Sequence, residues 1–278
     1  MNATLPVFQE ELPRLRRLAY RLMGSTADAD DIVQDAYVRV HGRTLDGIAH
    51  PGAYLDTVVT RLALDKMKSA QRRREVYVGP WLPEPVLDER TAAGGEDISM
   101  ALMVLLERLS EKERACFVLH ESLGYAHAEI AEMLGISHAA ARQAFSRAHK
   151  AIGAERARYV SSRAQHERLL DEFLRFLEAG DVAGLMAILA PGVRLQADGG
   201  AKLHVARKPV DGPDRVARYF QGLRARENFD ATPCRANGEP ALRVLTGGGR
   251  LTGYLFMAVH AGAIERFWFV LNPDKIRP

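Results

Sequence analysis

Apolar residues recur at helical spacing through the first half of this sequence and at strand spacing only toward its end. Up to residue 75 the pattern predicts a run of amphipathic helices, whose inner faces include Leu15, Leu18, Ile32 and Val59. Glycines and prolines then interrupt residues 75–97, and helical spacing resumes at Ile98. The pattern therefore indicates two helical domains joined by an extended linker that its prolines make stiff.

Residues 122–151 predict two short helices with a tight turn between them. Gly135 follows the last apolar residue of the first helix, and Ser137 provides a side-chain oxygen to cap the second. The second helix buries Ala141 and Phe145, whereas its opposite face carries cations and amides without an acid up to Lys150. Because Arg and Gln can read base edges, we predict a DNA-reading helix-turn-helix, with an ordinary helical hairpin as the alternative. The residues expected to face DNA are His138, Ala139, Arg142, Gln143, Ser146, Arg147 and Lys150.

Two charged faces in the first helical domain each allow two interpretations. In the second helix Asp31, Gln34, Asp35 and Val38 share one side, which is either solvated surface or a docking site for a basic partner helix. The third helix gathers cations behind an aromatic residue, a composition suited to single-stranded nucleic acid. Cations at a helix C-terminus are also favourable by themselves, but a second basic element in one chain favours nucleic acid. This basic face consists of Tyr54, Arg61, Lys66, Lys68, Arg72 and Arg73.

After residue 162 the sequence changes from helical to mixed patterning. Two helices are followed by a strand-like stretch at 193–197, a helix at 214–223 and three strands within 241–270. A Gly-Gly-Gly turn at 247–249 separates the first two of these strands. Two helices, a strand, a helix and an antiparallel meander predict an α+β cone over a cavity.

Composition narrows the class of protein without identifying it. The chain has 278 residues, a net charge of +3 and two cysteines, Cys116 and Cys234, in no metal-ligand spacing. These features predict a reduced protein without a disulfide, a metal or another cofactor. The sequence begins without a cationic leader before an apolar core, and it has no apolar run long enough to cross a bilayer. We therefore expect a cytoplasmic protein that does not bind membranes and is a monomer when free.

Taken together, these segments resemble bacterial RNA polymerase sigma factors of the extracytoplasmic-function (ECF) type. Residues 7–74, with DADDIVQDAYVRV and the basic helix after it, resemble the promoter-opening domain. Residues 98–158, with ISHAAARQAFSRAHK, resemble the upstream-element-binding domain, and the remainder is similar to the SnoaL-like, NTF2-like cone fold. Three motifs narrow the resemblance to the SigJ-like group, which carries a fused SnoaL-like domain: WLPEP at 81–85, DGGAK at 198–202 and NPDKI at 272–276.

The resemblance assigns a role to each charged face. It implies that Asp31, Gln34, Asp35 and Val38 dock on the clamp of the β′ subunit of core RNA polymerase. The basic third helix would capture the −10 element of promoter DNA, and the recognition helix would read the −35 element. The resemblance also implies regulation by the fused domain instead of a membrane anti-sigma protein. The contacts of that regulation would involve Trp81, Leu82, Pro83, Glu84, Pro85, Asp198, Gly199, Gly200, Lys202, Asn272, Pro273, Asp274 and Lys275.

The predicted architecture is multidomain, with two all-α domains followed by an α+β cone. We expect sigma region 2 at 5–75, the linker at 76–97, sigma region 4 with the helix-turn-helix at 98–160 and the SnoaL-like domain at 164–278. Ala201 stands where the group has a glycine, and Ala141 stands where the recognition helix usually has a valine. The second departure predicts looser helix packing, and neither alters the assignment.

Three other functions compete with this interpretation. Cone folds also occur in enzymes, where Asp198, His204, Tyr219 or His260 could supply a general base. A cavity that binds a small regulatory ligand is another use of the same SnoaL-like fold. Asp198 lies in a glycine turn, and histidines on strands are more often structural, so we predict no catalysis. A stand-alone helix-turn-helix repressor is the third alternative. It is less favourable because the helical part is split into two small basic domains, each short of what a dimeric repressor needs.

Overall fold

The structure, a computed structural model, describes residues 4–41, 48–87, 98–159, 162–227, 230–247 and 250–276. The chain divides into two compact units. A helical unit comprises Met1–Glu75 and Leu105–Ala154, and a C-terminal unit comprises Val76–Val104 and Glu155–Pro278. The described part of the linker therefore belongs to the same compact unit as the C-terminal domain.

Helices occupy most of the described chain up to residue 158. In chain order they are α1 (Thr4–Met23), α2 (Thr26–Val40), α3 (Pro51–Glu75), α4 (Met100–Leu106), α5 (Glu111–Leu123), α6 (His127–Leu134) and α7 (His138–Arg158). Side-chain caps fix several of their starts. Ser25 Oγ accepts a hydrogen bond from the Asp28 amide at α2, and Ser110 and Glu113 form a capping box at α5. None of the described helices combines the length and the apolar composition that a membrane-spanning helix needs.

The core of the helical unit comes from the apolar faces that the sequence predicts. Leu15 and Leu18 of α1, Ile32 of α2 and Val59 of α3 are at most 1% exposed. Phe117 of α5 is also buried. Burying a side chain of this size stabilises the fold by roughly 1.5–3 kcal/mol, so these residues dominate the packing of the unit.

The C-terminal unit is an α+β structure. Its elements after residue 160 are α8 (Arg163–Ala179), α9 (Val182–Ala187), β1 (Leu189–Asp198), β2 (Val210–Asp211), α10 (Pro213–Glu227), β3 (Asp230–Ala236), β4 (Glu239–Thr246), β5 (Arg250–His260) and β6 (Ala263–Val270). The sheet order is β2-β1-β6-β5-β4-β3, with β1 parallel to β6 and the other neighbours antiparallel. The sequence pattern indicated neither β2 nor β3, and Gly248 and Gly249 of the predicted turn lie outside the described residues.

Both faces of this sheet are covered. On the helix-covered face Phe173, Phe220 and Phe267 pack with ring centroids 4.9–5.3 Å apart in the interior of the cone. On the other face Leu82 of the linker and Met100 at the start of α4 join a separate apolar cluster with the strand residues. The strand residues of that cluster include Ala241, Tyr254, Phe256, Ala258 and Trp268. The linker is therefore part of the core of the C-terminal unit.

Candidate functional sites: a nucleic-acid interface and a linker hub

The structure brings the seven residues expected to face DNA onto the exposed surface of α7. α6 ends at Gly135, which has the left-handed backbone (φ 64°) that the turn requires, and Ser137 Oγ accepts the Ala140 amide at 3.2 Å. The apolar residue Ala141 is fully buried on the inner side. The exposed residues are His138, Ala139, Arg142, Gln143, Ser146, Arg147 and Lys150, of which Arg147 also bonds Glu113 at 2.8 Å.

Beneath this face, the Phe145 ring of α7 packs against imidazole rings of neighbouring helices. The sequence pattern did not indicate this cluster of rings. The ring centroid of His120 on α5 lies 4.4 Å from Phe145 and 4.6 Å from His127 at the start of α6. Partial burial, and then the nearby charges of His120, His138 and Arg142, lower the pKa of His127. The lowered pKa favours the neutral form of the His127 ring in this cluster.

The acidic face of α2 is exposed as predicted. Asp31, Gln34 and Asp35 point to solvent, and Val38 in their midst is 68% exposed. A large apolar side chain ringed by acids is typical of a surface that receives a partner. Lys66 of α3 binds this face at one edge, because its Nζ lies 2.8 Å from Asp31 Oδ2.

The basic face of α3 is partly engaged within the protein. Tyr54 is half-buried and Lys68 is exposed. Arg61 donates from Nε to the Met133 carbonyl at 2.8 Å and from Nη2 to the Glu132 carbonyl at 3.2 Å. Burial works to lower the pKa of Lys66, but its hydrogen bonds to Asp31 and Asp28 outweigh burial and raise it. The side chains of Arg72 and Arg73 lie outside the described residues.

The three motifs of the C-terminal unit meet at Asp198, which ends β1 and is fully buried. Its carboxylate accepts hydrogen bonds from the hydroxyl of Tyr77 (2.5 Å), the amide of Leu82 (2.9 Å) and the ammonium of Lys275 (2.7 Å). Burial, and then the hydrogen bond to Asp198, raise the pKa of Tyr77, so its hydroxyl remains a donor. We call Tyr77, Asp198, Asn272 and Lys275 the linker hub.

Lys275 fixes the linker from the opposite side. Its Nζ donates to the Leu82 carbonyl at 2.6 Å and lies 4.0 Å from the centre of the Trp81 ring, within the range of a cation–π contact. Asn272 donates from Nδ2 to the Tyr77 hydroxyl at 2.6 Å. The backbone N–H and C=O of Leu82 are therefore both bound by the hub, so the WLPEP segment is docked on the C-terminal domain.

Glycine is needed where the DGGAK motif (198–202) passes close to the NPDKI motif (272–276). Gly200 has φ 59°, and a Cβ there would lie 2.8 Å from Asn272 Nδ2. At Gly199 a Cβ would lie 2.7 Å from a methyl group of Val205. Ala201 follows without a left-handed backbone, which explains why a residue other than glycine is accommodated there.

The remaining motif residues differ in exposure. Pro83 and Glu84 are buried and Pro85 is half-buried, whereas Pro273 is exposed. Lys202 and Asp274 form an ion pair whose side chains are 58% and 62% exposed. The buried members of the motifs therefore hold the linker, and this ion pair lies at the surface.

A second linker contact was not predicted and involves the turn between β3 and β4. Asn237 exchanges two hydrogen bonds with Val86, through its side-chain oxygen (3.0 Å) and its own amide (2.7 Å), and donates from Nδ2 to the Ile98 carbonyl. Glu239 accepts the Met100 amide at 2.8 Å. The dipeptide Asn-Gly at 237–238 is a hairpin signal that could have located this turn, but Tyr77 of the hub carried no signal.

The residues considered for catalysis do not form a common site. Asp198 is committed to the linker, and His204 is exposed. His260 is exposed and its Nδ1 lies 2.9 Å from the Arg158 carbonyl, while Tyr219 packs beside Phe220. Across the described residues no group of three or more His, Cys, Asp or Glu side chains could hold a metal ion.

Comparison with known families defines the class of this protein. The sequence model of sigma-70 region 2 matches residues 7–73, and that of sigma-70 region 4 matches residues 99–152. Together with the helix-turn-helix and the acidic face of α2, these matches define a sigma-70-type initiation factor, a class that binds core RNA polymerase and promoter DNA.

The relatives cover nearly the whole chain. The chain is 39% identical to the ECF RNA polymerase sigma factor SigJ of Mycobacterium tuberculosis, over 96% of this chain and 91% of the relative. It is 31% identical to a protein of the same species named "Probable ECF RNA polymerase sigma factor SigI", over 94% and 90% of the two chains. The crystal structure of M. tuberculosis SigJ superposes with a TM-score of 0.79 at 36% identity, covering 98% of this chain and 97% of that one. More particularly, then, the chain belongs to the ECF RNA polymerase sigma factors. It is a transcription initiation factor rather than an enzyme.

Proposed function

We propose that the C-terminal domain of this sigma factor sets its transcriptional activity by holding the linker between regions 2 and 4. One observation carries the proposal. Asp198 and Lys275, from two sequence motifs far apart in the chain, bind the amide and the carbonyl of Leu82 in the third motif. Both charged side chains are buried, so removing either one leaves an uncompensated charge and releases the linker.

The other functional surfaces of this proposal lie on α7, α3 and α2. The seven residues of α7 contact the −35 element, and Tyr54, Arg61, Lys66, Lys68, Arg72 and Arg73 contact the −10 element. Asp31, Gln34, Asp35 and Val38 dock on the β′ clamp, where the acids orient the partner and Val38 contributes apolar area. In this scheme region 2 spans 5–75, the linker 76–97, region 4 98–160 and the regulatory domain 164–278, and the protein acts in the cytoplasm.

A ligand in the cone is not part of this proposal. Phe173, Phe220 and Phe267 pack against one another in the interior where the sequence predicted a cavity. Control through the linker hub needs only contacts made within the C-terminal unit. A ligand remains a prediction from the fold.

The test is reconstituted transcription with core RNA polymerase. The template is a library of fragments with randomised −35 and −10 segments, and transcripts are identified by sequencing. We expect the parent to produce transcripts and Lys275→Met to change their yield at least several-fold, the sign showing whether the domain activates or inhibits. Lys208→Met removes an exposed lysine of the same domain and serves as the matched control.

Two failures of this test have different meanings. Equal yields from the parent and Lys275→Met would contradict control through the linker hub but leave the sigma factor assignment in place. Absence of transcripts from the parent, together with no binding to core polymerase, would contradict the initiation function itself.

A further inference from the structure

Arg147 differs from the other DNA-facing residues with long side chains on α7, because it is already held in one direction. Its Nε donates a hydrogen bond to Glu113 Oε1, in the first turn of α5, at 2.8 Å. The side chains of Arg142, Gln143 and Lys150 make no hydrogen bond or ion pair with another described residue. The guanidinium of Arg147 is therefore oriented before DNA is present, whereas these three side chains are not.

The carboxylate that holds Arg147 is itself fixed. Glu113 Oε2 accepts the amide of Ser110 at 3.1 Å and its hydroxyl at 2.8 Å, so each carboxylate oxygen has its own partner. The hydrogen bond from Arg147 lowers the pKa of Glu113 in spite of partial burial, so this carboxylate stays charged. An isolated surface pair contributes little, but a carboxylate fixed by a capping box holds its cation in one orientation.

The position of this pair indicates which part of a DNA duplex Arg147 meets. In a helix-turn-helix the first residues of the recognition helix reach the base edges. Arg142 and Gln143 lie in the second turn of α7, whereas Arg147 lies a turn further on and is drawn sideways toward α5. A guanidinium has five N–H donors, of which Glu113 engages one, so the end of the fork can still bind two oxygens of a phosphate.

We propose that Glu113 is a positioning residue that holds Arg147 against a phosphate of the −35 duplex, while Arg142 and Gln143 read its bases. This inference rests on the proposed assignment of α7 to the −35 element, and it divides that surface into a backbone contact and a sequence reader. An acid beside DNA repels phosphates, so Glu113 favours binding only through Arg147. The two effects of Glu113 have opposite signs, which makes its role measurable.

Glu113→Gln separates these effects. Glutamine also completes a capping box with Ser110, so the variant keeps the start of α5 and removes the ion pair. Loss of repulsion alone predicts tighter DNA binding, whereas loss of positioning predicts weaker binding. Glu111→Gln removes an equal charge from the same turn of α5, where no described residue of α7 is bonded, and is the matched control.

The assay uses the full chain bound to core RNA polymerase. A fluorescein-labelled promoter fragment, selected by the parent from the randomised library, is titrated by anisotropy at several KCl concentrations. We expect Glu113→Gln to bind about two- to tenfold more weakly than the parent, the effect of having to order one long side chain on binding. Glu111→Gln should bind at least as tightly as the parent. Equal or tighter binding by Glu113→Gln would overturn the positioning role.

A double-variant cycle tests whether Glu113 acts through Arg147. Arg147→Ala should weaken binding and reduce the salt slope by about one, as expected for one lost phosphate contact. Adding Glu113→Gln to Arg147→Ala should cause no further loss, because the residue that Glu113 positions is then absent. A further loss as large as that of Glu113→Gln alone would contradict the proposal.

Base selection keeps the proposal testable if Glu113→Gln folds poorly. Fragments with a randomised −35 segment and a fixed −10 segment are bound by each holoenzyme and sequenced. We expect Arg147→Ala to retain the base preferences of the parent, and Arg142→Ala and Gln143→Ala to relax them. Lost preference in Arg147→Ala would overturn its assignment to a phosphate. A parent without any preference in the −35 segment would instead contradict the proposed function of α7, so the two failures are distinguishable.

Discussion

Asp198 and Lys275 form an ion pair that is almost entirely withdrawn from water, with side chains 0% and 7% exposed. Such a pair stabilises a fold only when its other hydrogen-bonding positions are filled. Here Tyr77 and the two backbone groups of Leu82 fill them, so the pair is satisfied only while the linker is in place. At the scale of single residues, the linker and the charge pair stabilise each other.

We expect Lys275→Met to lower the free energy of unfolding of the C-terminal unit by about 3–5 kcal/mol, because it leaves Asp198 charged, buried and short of a partner. Lys202→Met also removes a motif lysine, but from an exposed ion pair. It should lower the free energy of unfolding by at most about 1 kcal/mol. Urea denaturation of both variants and the parent measures the difference. Similar losses in the two variants would contradict the distinction between buried and exposed motif residues.

A buried imidazole gives this unit a dependence on pH. His166 of α8 is 6% exposed, and burial lowers its pKa to about 4, against about 6.5 in an unfolded chain. Between these values the unfolded state binds the proton and the folded state does not, so stability is complete above pH 6.5 and falls as pH decreases toward 4. The loss over this window is about 3 kcal/mol.

His166→Leu should remove this dependence. Urea denaturation at pH 7 and at pH 4 should show the parent losing about 3 kcal/mol more than the variant over the same interval. Carboxylates contribute to both proteins alike, so the difference between them isolates His166. Parallel pH profiles would mean that folding does not shift the pKa of His166.

At the scale of elements, the turn between β3 and β4 does two tasks. Asn237 adopts φ 54° and is 4% exposed, so its side chain is directed inward to the linker while its backbone reverses the chain. Few residues other than asparagine combine a left-handed backbone with an inward amide. This hairpin therefore supports the linker as well as ending the sheet.

Asn237→Ala should destabilise the C-terminal unit by about 2–4 kcal/mol, the sum of an unsatisfied Val86 amide and a left-handed alanine. Asn237→Asp keeps the oxygen that accepts the Val86 amide and should lose less than the alanine variant. Hydrogen exchange of the Val86 amide reports the local effect, and it should accelerate in the alanine variant. An unchanged exchange rate there would show that the linker is held without Asn237.

The sequence allowed accurate prediction of elements whose signal is local. Helical spacing and Gly135 located the helices, and the three motifs included Asp198 and Lys275, which the structure brings into contact. The sequence pattern did not predict β2, because this strand has only two residues. It did not predict β3, because this edge strand contains Pro233 and its apolar and polar residues do not alternate. The sequence did not predict the contacts of Tyr77 with Asn272 or of Tyr125 with Asp56, because partners 69–195 residues apart leave no periodic spacing.

At the scale of the whole molecule, the central strands β5 and β6 of the C-terminal unit are buried on both faces along most of their length. Helices cover one side, and the linker and the start of α4 cover the other, where Tyr254, Phe256 and Trp268 are at most 2% exposed. An isolated C-terminal domain would expose these three aromatic side chains together. Exposed apolar patches of that kind promote self-association.

We therefore expect a fragment of residues 162–278 to self-associate and to bind the dye ANS, whereas the full chain does neither. Analytical ultracentrifugation and dye fluorescence measure the two properties. Phe256→Lys in the fragment should reduce both, because the substitution places a charge in the centre of the uncovered face. A monodisperse fragment without dye binding would show that the linker is not needed to cover the sheet.

The distance along the chain between Leu82 and Lys275, 193 residues, has a consequence for synthesis on the ribosome. At about 5–20 residues per second, Lys275 is added about 10–40 seconds after Leu82. Once residue 150 has been added, both DNA-binding segments have been translated, yet the group that fastens the connection between them does not exist until residue 275 is added. Each newly made molecule thus passes through a period in which its two promoter-binding segments are joined by a linker that is not yet held. This period ends when Lys275 has been added and can bind Leu82.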